Sequence, residues 1–398
     1  MKQLWIILQF VITAPLWFPL FLYVISSLGR RFGKRRKNAQ RASDNIDVGI
    51  IVTAFQQTDL IADVVNSILK SDYTNYLIYV VADDCDVSNL SFSSDKVLIL
   101  RPETKLASNT KSHFHAIKNF QRQHQVITII DSDNVVEQNY LTEIVHKINQ
   151  GFDAVQGVRA ARNLNTTYAC LDEAGDMLYR FIDRKLLFEA GSSASLAGSG
   201  MAFKTEVFVN LLENFNVSGA GFDKYLQYEL VKNKKRIAFA MDAVVYDGKT
   251  AAAEQLVKQR ARWINTWFKY WGLAIMLFFR SLINFSWNQF AFSMMLLRPP
   301  LFILGFAGLM FIVINIIFFP QLLVIWLVSI ACFFLLFALA LHTFKADRSI
   351  YTALIKLPKF VYYQVLALFK ARAANKISVA TKHDVSVYKK DYYETDRN

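Results

Sequence analysis

The chain has 398 residues, of which 54% are hydrophobic and 14% aromatic, and this apolar content predicts that part of it lies in a membrane. Its 45 Lys and Arg residues exceed its 32 Asp and Glu residues, which gives a formal net charge of +13. The basic residues cluster at the borders of apolar segments instead of lining an aromatic-rich groove, so membrane contact is expected and nucleic-acid binding is not.

The N-terminal segment, residues 1–29, is predicted to be a transmembrane helix. It carries no charge between residues 4 and 28, a length sufficient for a bilayer of roughly 30 Å. Residues 30–44 form a basic linker, so the positive-inside rule places this side in the cytoplasm and the N-terminus outside. Because Lys2 is the only charge before the apolar stretch, a retained anchor is expected and not a cleaved signal peptide.

Residues 45–265 have the composition of a globular domain, which the linker places in the cytoplasm. Runs rich in Val and Ile alternate with helical segments, and they occupy residues 47–55, 76–84, 97–101 and 125–133. This alternation predicts an α/β fold with a mainly parallel, Rossmann-like sheet flanked by helices on both faces. Ligands bind at the carboxyl ends of such strands, where four acidic residues fall: Asp83, Asp84, Asp131 and Asp133.

Asp131 and Asp133 end an apolar run with one serine between them. Two like charges at a strand end are costly unless a cation or hydrogen-bond donors compensate them, and a divalent metal that also binds phosphate oxygens is a common solution. The alternative is an ordinary loop in which the two side chains cap the following helix. The pair by itself leaves both interpretations open.

The C-terminal part is predicted to return to the membrane. Residues 266–298 mix bulky apolar and basic side chains and are expected to form interfacial helices, although 281–298 are too polar for a clear crossing. Residues 299–342 contain no charge before position 342 and are long enough for a transmembrane hairpin with a turn at 319–321. Residues 343–398 would form a basic cytoplasmic tail that includes an interfacial helix at 353–372.

Four motifs follow one another in the globular region: VADDCD at 81–86, IIDSDN at 129–134, GFDKYLQYEL at 221–230 and KQRARW at 258–263. This ordered set resembles the membrane-embedded family 2 glycosyltransferases, the group of the cellulose, chitin and hyaluronan synthases and of ceramide glucosyltransferase. The resemblance covers residues 45 to about 300, and an ordered set is more specific than any single motif. It implies a GT-A fold, which is a nucleotide-sugar domain.

The resemblance also implies roles for the acidic residues. Asp83 or Asp84 would accept hydrogen bonds from the uridine or ribose of the donor. Asp131 and Asp133 would hold Mg²⁺ or Mn²⁺ against the diphosphate, and Asp223 would deprotonate the acceptor hydroxyl as general base. The family usually has a Glu before this base, and the present chain has Phe222 there.

Four further residues are candidates for substrate binding by the same resemblance. Lys111 and Arg262 would contact the diphosphate, although Lys111 is equally consistent with a solvated surface lysine. Gln259 and Trp263 belong to the Gln-x-x-Arg-Trp motif, and Trp263 offers a flat apolar face to an acceptor sugar or, alternatively, to the core. Near the end of the chain, Thr381 and His383 faintly resemble a gating segment of polymer synthases, but a plain solvated tail explains them equally well.

Together these features predict an inverting glycosyltransferase at the cell inner (plasma) membrane, multi-pass, with its catalytic domain in the cytoplasm. It would move N-acetylglucosamine or glucose from a UDP-sugar to a growing polysaccharide or a lipid-linked acceptor and form a β-linkage. Three spans are few for a polymer channel, so a polymer product would require a homo-oligomer or an export partner. A catalytically silent membrane scaffold that keeps the fold is the alternative.

Overall fold

The computed structural model describes residues 2–32, 45–212 and 221–371. Most of the basic linker and the tail beyond residue 371, with Thr381 and His383, lie outside these ranges. The centre of the molecule is an eight-stranded sheet of order β3-β2-β1-β4-β7-β6-β8-β5. Its strands are β1 Val48–Phe55, β2 Tyr76–Asp83, β3 Val97–Leu100, β4 Val126–Asp131, β5 Val135–Val136, β6 Ala154–Ala161, β7 Met201–Lys204 and β8 Ile237–Asp247.

Helices cover the sheet and extend from it towards the membrane segments. A π-helical segment, Arg180–Leu186, joins α5 to α6, and short 3₁₀ turns at Pro320–Leu322 and Leu354–Lys356 precede α12 and α14. The helices are α1 Lys2–Phe32, α2 Ile61–Leu69, α3 Asn109–Lys118, α4 Tyr140–Asn149, α5 Thr167–Tyr179, α6 Leu187–Glu189, α7 Thr205–Leu212, α8 Phe222–Lys232, α9 Ala253–Ile283, α10 Trp287–Leu296, α11 Leu301–Phe318, α12 Leu323–Thr343, α13 Arg348–Ala353 and α14 Leu357–Lys370.

The α/β architecture is confirmed, but the sheet is mixed beyond its first half. β3, β2, β1 and β4 are parallel, as expected, whereas β7 is antiparallel to both β4 and β6. The reason lies in the loop before β7, where Ser199 and Gly200 contact the carboxyl end of β4. A strand that starts at this edge has to run back in the opposite direction.

Both faces of the parallel strands are buried, which explains their nearly continuous apolar sequence. In β1, Val48, Ile50 and Val52 pack into one hydrophobic cluster with α2 and α4. Ile51 points to the other face and joins a cluster that contains α3 and the π-helical segment. Polar groups are therefore left for the strand ends, where the acidic motifs occur.

Three helical segments are long and apolar enough to cross a membrane: Gln3–Gly29, Leu301–Phe318 and Pro320–Thr343. Polar side chains connect them. The fully buried Gln9 of α1 accepts hydrogen bonds from Asn315 Nδ2 of α11 at 2.7 Å and from Trp326 Nε1 of α12 at 2.8 Å. Hydrogen bonds of this kind stabilise helix association where lipid supplies no hydrophobic drive.

Helix α9 contains the Gln-x-x-Arg-Trp motif and also most of the region expected to be interfacial, because it continues without a break across residues 265 and 266. Helix α14, in the segment expected to lie on the membrane surface, packs one face against α9 through Ala367 and lays Phe360 against α5 and α13. Its other face leaves Phe369 80% exposed. The segment is thus partly a packed helix, and only its outer face is available to lipid.

Candidate active site

A cavity of about 690 Å³ opens at the carboxyl ends of β1, β2 and β4. Helices α8 and α9 and the π-helical segment close its other sides. Most of the residues that the sequence singled out line this single cavity: Asp83, Asp131, Asp133, Asp223, Arg262 and Trp263. Asp84, Lys111 and Gln259 do not.

The structure separates the two neighbouring acids at the end of β2. Asp83 is 1% exposed, and its carboxylate accepts hydrogen bonds from the backbone N–H groups of Leu106 and Ala107 at 2.8 and 2.7 Å. Asp84 adopts a left-handed φ of 53° and turns away to pair with Lys105 at 2.8 Å, an interaction that lowers its pKa. Of the two alternatives, Asp83 is therefore the residue that lines the cavity.

Asp131 and Asp133 lie where β4 ends. The backbone N–H of Asp131 donates to Ser199 Oγ at 3.0 Å, which ties the strand end to the loop before β7. Burial, followed by the negative charge of Asp133, raises the pKa of Asp131 to about 7. Two carboxylates that repel each other in a half-buried position form a site that a cation would stabilise.

The donor set fits a hard divalent cation that shares its coordination with a substrate. In the described ranges, no group of three or more His, Cys, Asp or Glu side chains is arranged to hold a metal ion by itself. Mg²⁺ and related ions are usually bound by one or two carboxylates together with substrate phosphates and water. Asp131 and Asp133 can supply those carboxylates.

Asp223 lies in the first turn of α8 and faces the same cavity. Gly221, with a φ of 100°, directs the chain into this helix, and the buried Phe222 packs against His113 with ring centroids 5.1 Å apart. The Asp223 charge contributes to the raised pKa of both Asp131 and Tyr270. A carboxylate that lines the same cavity as the strand end can accept a proton from a ligand held there.

The Gln-x-x-Arg-Trp motif begins α9. Burial lowers the pKa of Arg262, and Trp263 is 40% exposed with Arg260 Cζ 4.4 Å from its ring centroid. Gln259 points instead towards the preceding loop and accepts a hydrogen bond from Thr250 at 3.3 Å. Gln259 therefore connects α9 to the loop before it and does not line the cavity.

Lys111 lies on the exposed side of α3, whereas Thr110 and Ser112 on either side of it line the cavity. Successive helical residues point about 100° apart, so neighbours in sequence face different surroundings. The solvated alternative describes this lysine better than contact with a diphosphate.

A charge network in the wall of the cavity, to which Arg159, Asp176 and Arg260 belong, was not predicted. Lys249 lies 2.5 Å from Asp176 and 3.4 Å from Asp247, and Arg159 pairs with Asp247 at 2.5 Å. Burial opposes the charge of Lys249, but these carboxylates outweigh it and raise its pKa. Arg260 pairs with Asp172, so the network fixes α9 to α5. The signal in the sequence was the spacing of the acids on α5: Asp172, Glu173 and Asp176.

The chain was compared with proteins of known structure and with curated sequences. The solved mannosyltransferase PcManGT from Pyrobaculum calidifontis, in complex with GDP-Man and Mn²⁺, is 15% identical over 92% of this chain and 99% of its own, with a TM-score of 0.54. S. aureus TarS 1–349 in complex with UDP-GlcNAc is 13% identical over 83% of this chain and 90% of its own, with a TM-score of 0.39. No curated protein matches the chain by sequence.

The first of these likenesses shows a shared GT-A fold. A family model described as glycosyltransferase like family 2 matches residues 45–266, which is more than half of the chain and contains every motif that forms the cavity. The chain therefore belongs to glycosyltransferase family 2.

Proposed function

We propose that this glycosyltransferase is an inverting enzyme that moves a sugar from a nucleoside-diphosphate sugar to an acceptor hydroxyl at the cytoplasmic face of the membrane. The observation that carries the proposal is the convergence of Asp83, Asp131, Asp133 and Asp223 on one cavity at the carboxyl edge of the sheet. A silent scaffold would have no need to keep four carboxylates together in a largely buried place.

Asp131 and Asp133 would hold Mg²⁺ or Mn²⁺, and the ion would supply positive charge to the leaving diphosphate. Asp83 would accept a hydrogen bond from the nucleoside, and Arg262 would donate to the phosphate oxygens. Asp223 takes the proton of the acceptor hydroxyl while the oxygen of that hydroxyl attacks sugar C1. The bond from C1 to the diphosphate oxygen breaks, its electron pair leaves with the diphosphate, and a β-linkage forms.

UDP is the expected carrier, with N-acetylglucosamine or glucose as the sugar. The Pyrobaculum calidifontis mannosyltransferase was solved with GDP-Man and Mn²⁺, so GDP-mannose is the second donor to test. The acceptor would be a growing polysaccharide or a lipid-linked saccharide, because the cavity lies beside the membrane segments. Trp263 would offer its exposed face to the acceptor sugar.

Replacing Asp223 with Asn tests the assignment of the base. The purified full chain, with membrane lipid as acceptor source and Mn²⁺ present, is incubated with UDP-N-acetylglucosamine, UDP-glucose or GDP-mannose, and nucleoside diphosphate release is measured. Asn keeps the shape of Asp but cannot accept the proton, so we expect turnover to fall by a factor on the order of 10² to 10⁴. Donor affinity should change less than threefold, since Asp223 acts on the acceptor.

Asp242→Asn is the matched control, because Asp242 is exposed and lies outside the cavity. It should turn over donor at the parental rate. An Asp223→Asn variant that does the same would refute the base assignment. If the unmutated chain turns over none of the three donors, the alternative of a catalytically silent scaffold is favoured.

A further inference from the structure

The cavity that contains the carboxylates continues to the boundary of the membrane. Pro299, Pro300 and Phe302, at the start of α11, line its far wall, and α11 is a candidate membrane span from Leu301 to Phe318. Trp267 and Trp271 of α9 line the same region. A ligand that fills the cavity would therefore contact both the strand ends and the beginning of a membrane helix.

An arginine of the π-helical segment, Arg184, also lines the cavity. Its neighbour Asp183 forms an ion pair with Arg298 at 2.7 Å, and Arg298 lies three residues before the start of α11. Arg184 is also close enough to Arg159 for their charges to interact, and Arg159 acts in turn on Asp131. Arg184 thus lines the same cavity as the carboxylates, and it lies next to a residue that is paired with the segment before α11.

Arg184 differs from the arginines around it. Arg159 and Arg298 have carboxylate partners at 2.5 and 2.7 Å, and Arg260 is paired with Asp172. In the part of the chain that the structure describes, no acid lies within ion-pair distance of Arg184. Its buried Nε has no hydrogen-bond partner, a feature that it shares with Arg159 and Arg260, so the missing carboxylate is what distinguishes it. Its pKa is lowered to about 10 by burial and by Arg180, so it remains charged at neutral pH.

A half-buried cation with an unsatisfied donor is unfavourable unless a ligand supplies the anion. The planar guanidinium matches the geometry of a phosphate, which it binds through two parallel hydrogen bonds. Two phosphates are relevant at this position. One is the diphosphate of the donor, and the other is a phosphate that joins an acceptor saccharide to its lipid.

We infer that Arg184 binds the phosphate of an acceptor in which a saccharide is joined through phosphate to a lipid chain. The saccharide would extend towards Asp223, and the lipid would leave the cavity beside Pro300 and Phe302. The donor diphosphate already has Asp131, Asp133 and Arg262 as candidate partners in the same cavity. This inference rests on the proposed function, since it names the acceptor class of that reaction.

Binding of a simple lipid phosphate tests the inference without knowledge of the true saccharide. The full chain in zwitterionic lipid nanodiscs is titrated by calorimetry with farnesyl phosphate, with farnesol, and with UDP or GDP plus Mn²⁺. The parent should bind farnesyl phosphate at least about tenfold more tightly than farnesol, as expected for one charge-assisted phosphate contact. Arg184→Gln should abolish this preference and change nucleotide affinity less than threefold.

Lys185→Gln is the matched control, because it removes the same charge from the adjacent residue, which pairs with Glu189 outside the cavity. It should keep the parental preference. Arg184→Lys retains the charge and should keep part of the preference, so a folding defect of the Gln variant would not hide the result.

Three outcomes would overturn the inference. The first is a parent that does not distinguish farnesyl phosphate from farnesol. The second is an Arg184→Gln variant that keeps the parental preference. The third is an Arg184→Gln variant that instead weakens nucleotide binding, which would assign Arg184 to the donor. Failure of the proposed function is visible separately, as a parent that binds neither UDP nor GDP with Mn²⁺. In that case the comparison of the two farnesyl compounds still decides whether the phosphate site exists.

Discussion

At the end of β2, two adjacent carboxylates face different surroundings: Asp83 lines the cavity and Asp84 lies at the surface. Side chains alternate along a strand, so Asp83 and Asp84 are expected to face different surroundings. The sequence predicted that one of them contacts the nucleoside, but it did not show which. That choice depends on the left-handed turn at Asp84 and on the backbone of residues 106 and 107, which Asp83 binds.

The acidic pair after β4 and the acid at the start of α8 were predicted to meet, and in the structure they line one cavity. The prediction rested on where parallel strands end, which the apolar runs reveal. Lys111 and Gln259 lie outside this cavity, because their orientation depends on the rotation of a helix about its axis. No apolar pattern in so short a stretch determines that rotation.

His113 provides a residue-scale test through the pH dependence of stability. Burial lowers the pKa of His113 to about 3, against 6.5 for an exposed histidine. The unfolded chain therefore binds one more proton between these values, and the folded state loses about 1.4 kcal/mol for each pH unit below 6.5. His113→Phe keeps a ring beside Phe222 but cannot titrate. Its thermal midpoint in detergent should fall less steeply from pH 6.5 to 4.5 than that of the parent.

His115→Phe, at a half-buried position on the same helix, is the comparison for the effect of replacing an imidazole with a phenyl ring. Parallel curves for the parent and the His113 variant would show that His113 is not held neutral in the fold.

Among the elements, α9 shows that a change in composition along the sequence need not mark the end of a helix. The sequence changes from a charged motif to a bulky apolar stretch near residue 265, so a boundary was placed there. The structure instead has one helix of 31 residues, because no proline interrupts it and the only glycine, Gly272, has open space around it. A change of surroundings along a helix alters composition without ending the helix.

The start of α8 gives a prediction at this scale. A Cβ at Gly221 would lie 2.6 Å from Tyr270 and 2.8 Å from Thr266, both on α9, and its φ of 100° disfavours any other residue. Gly221→Ala should therefore shift α8 with its carboxylate. We expect a loss of turnover of at least about tenfold, since a displacement near 1 Å can cost up to a hundredfold.

Gly175→Ala is the control, because nothing lies within 4 Å of its added Cβ and alanine favours a helix interior. It should keep parental turnover and raise the thermal midpoint slightly. Parental turnover in the Gly221 variant would mean that the position of α8 does not matter to the reaction.

For the whole molecule, the candidate membrane helices and the sheet share a hydrophobic core. Leu22 of α1 and Leu336 of α12 pack in the same cluster as Phe181 of the π-helical segment and Ile51 of β1. The cavity is thereby held at a fixed position beside the candidate spans. Hydropathy predicted the three spans, but not this shared packing, which depends on long-range contacts.

The predicted topology places the turn between α11 and α12 outside and the sheet inside. In a Cys332→Ser background, Gln321→Cys should react with a membrane-impermeant maleimide added to intact cells, because Gln321 is exposed in that turn. Lys234→Cys, exposed beside the sheet, should react only after the cells are opened. Cys85 and Cys170 are buried and give the background level. Labelling in the reverse order would invert the orientation.

The central claim is that Asp131 and Asp133 hold a cation against a nucleoside diphosphate in the cavity they line. Crystals of the full chain grown with Mn²⁺ and UDP or GDP allow the ion to be located by anomalous scattering at the manganese edge. We predict one peak within about 2.5 Å of a carboxylate oxygen of this pair and of a diphosphate oxygen. A nucleotide bound in the cavity with no peak beside these two residues would contradict the account.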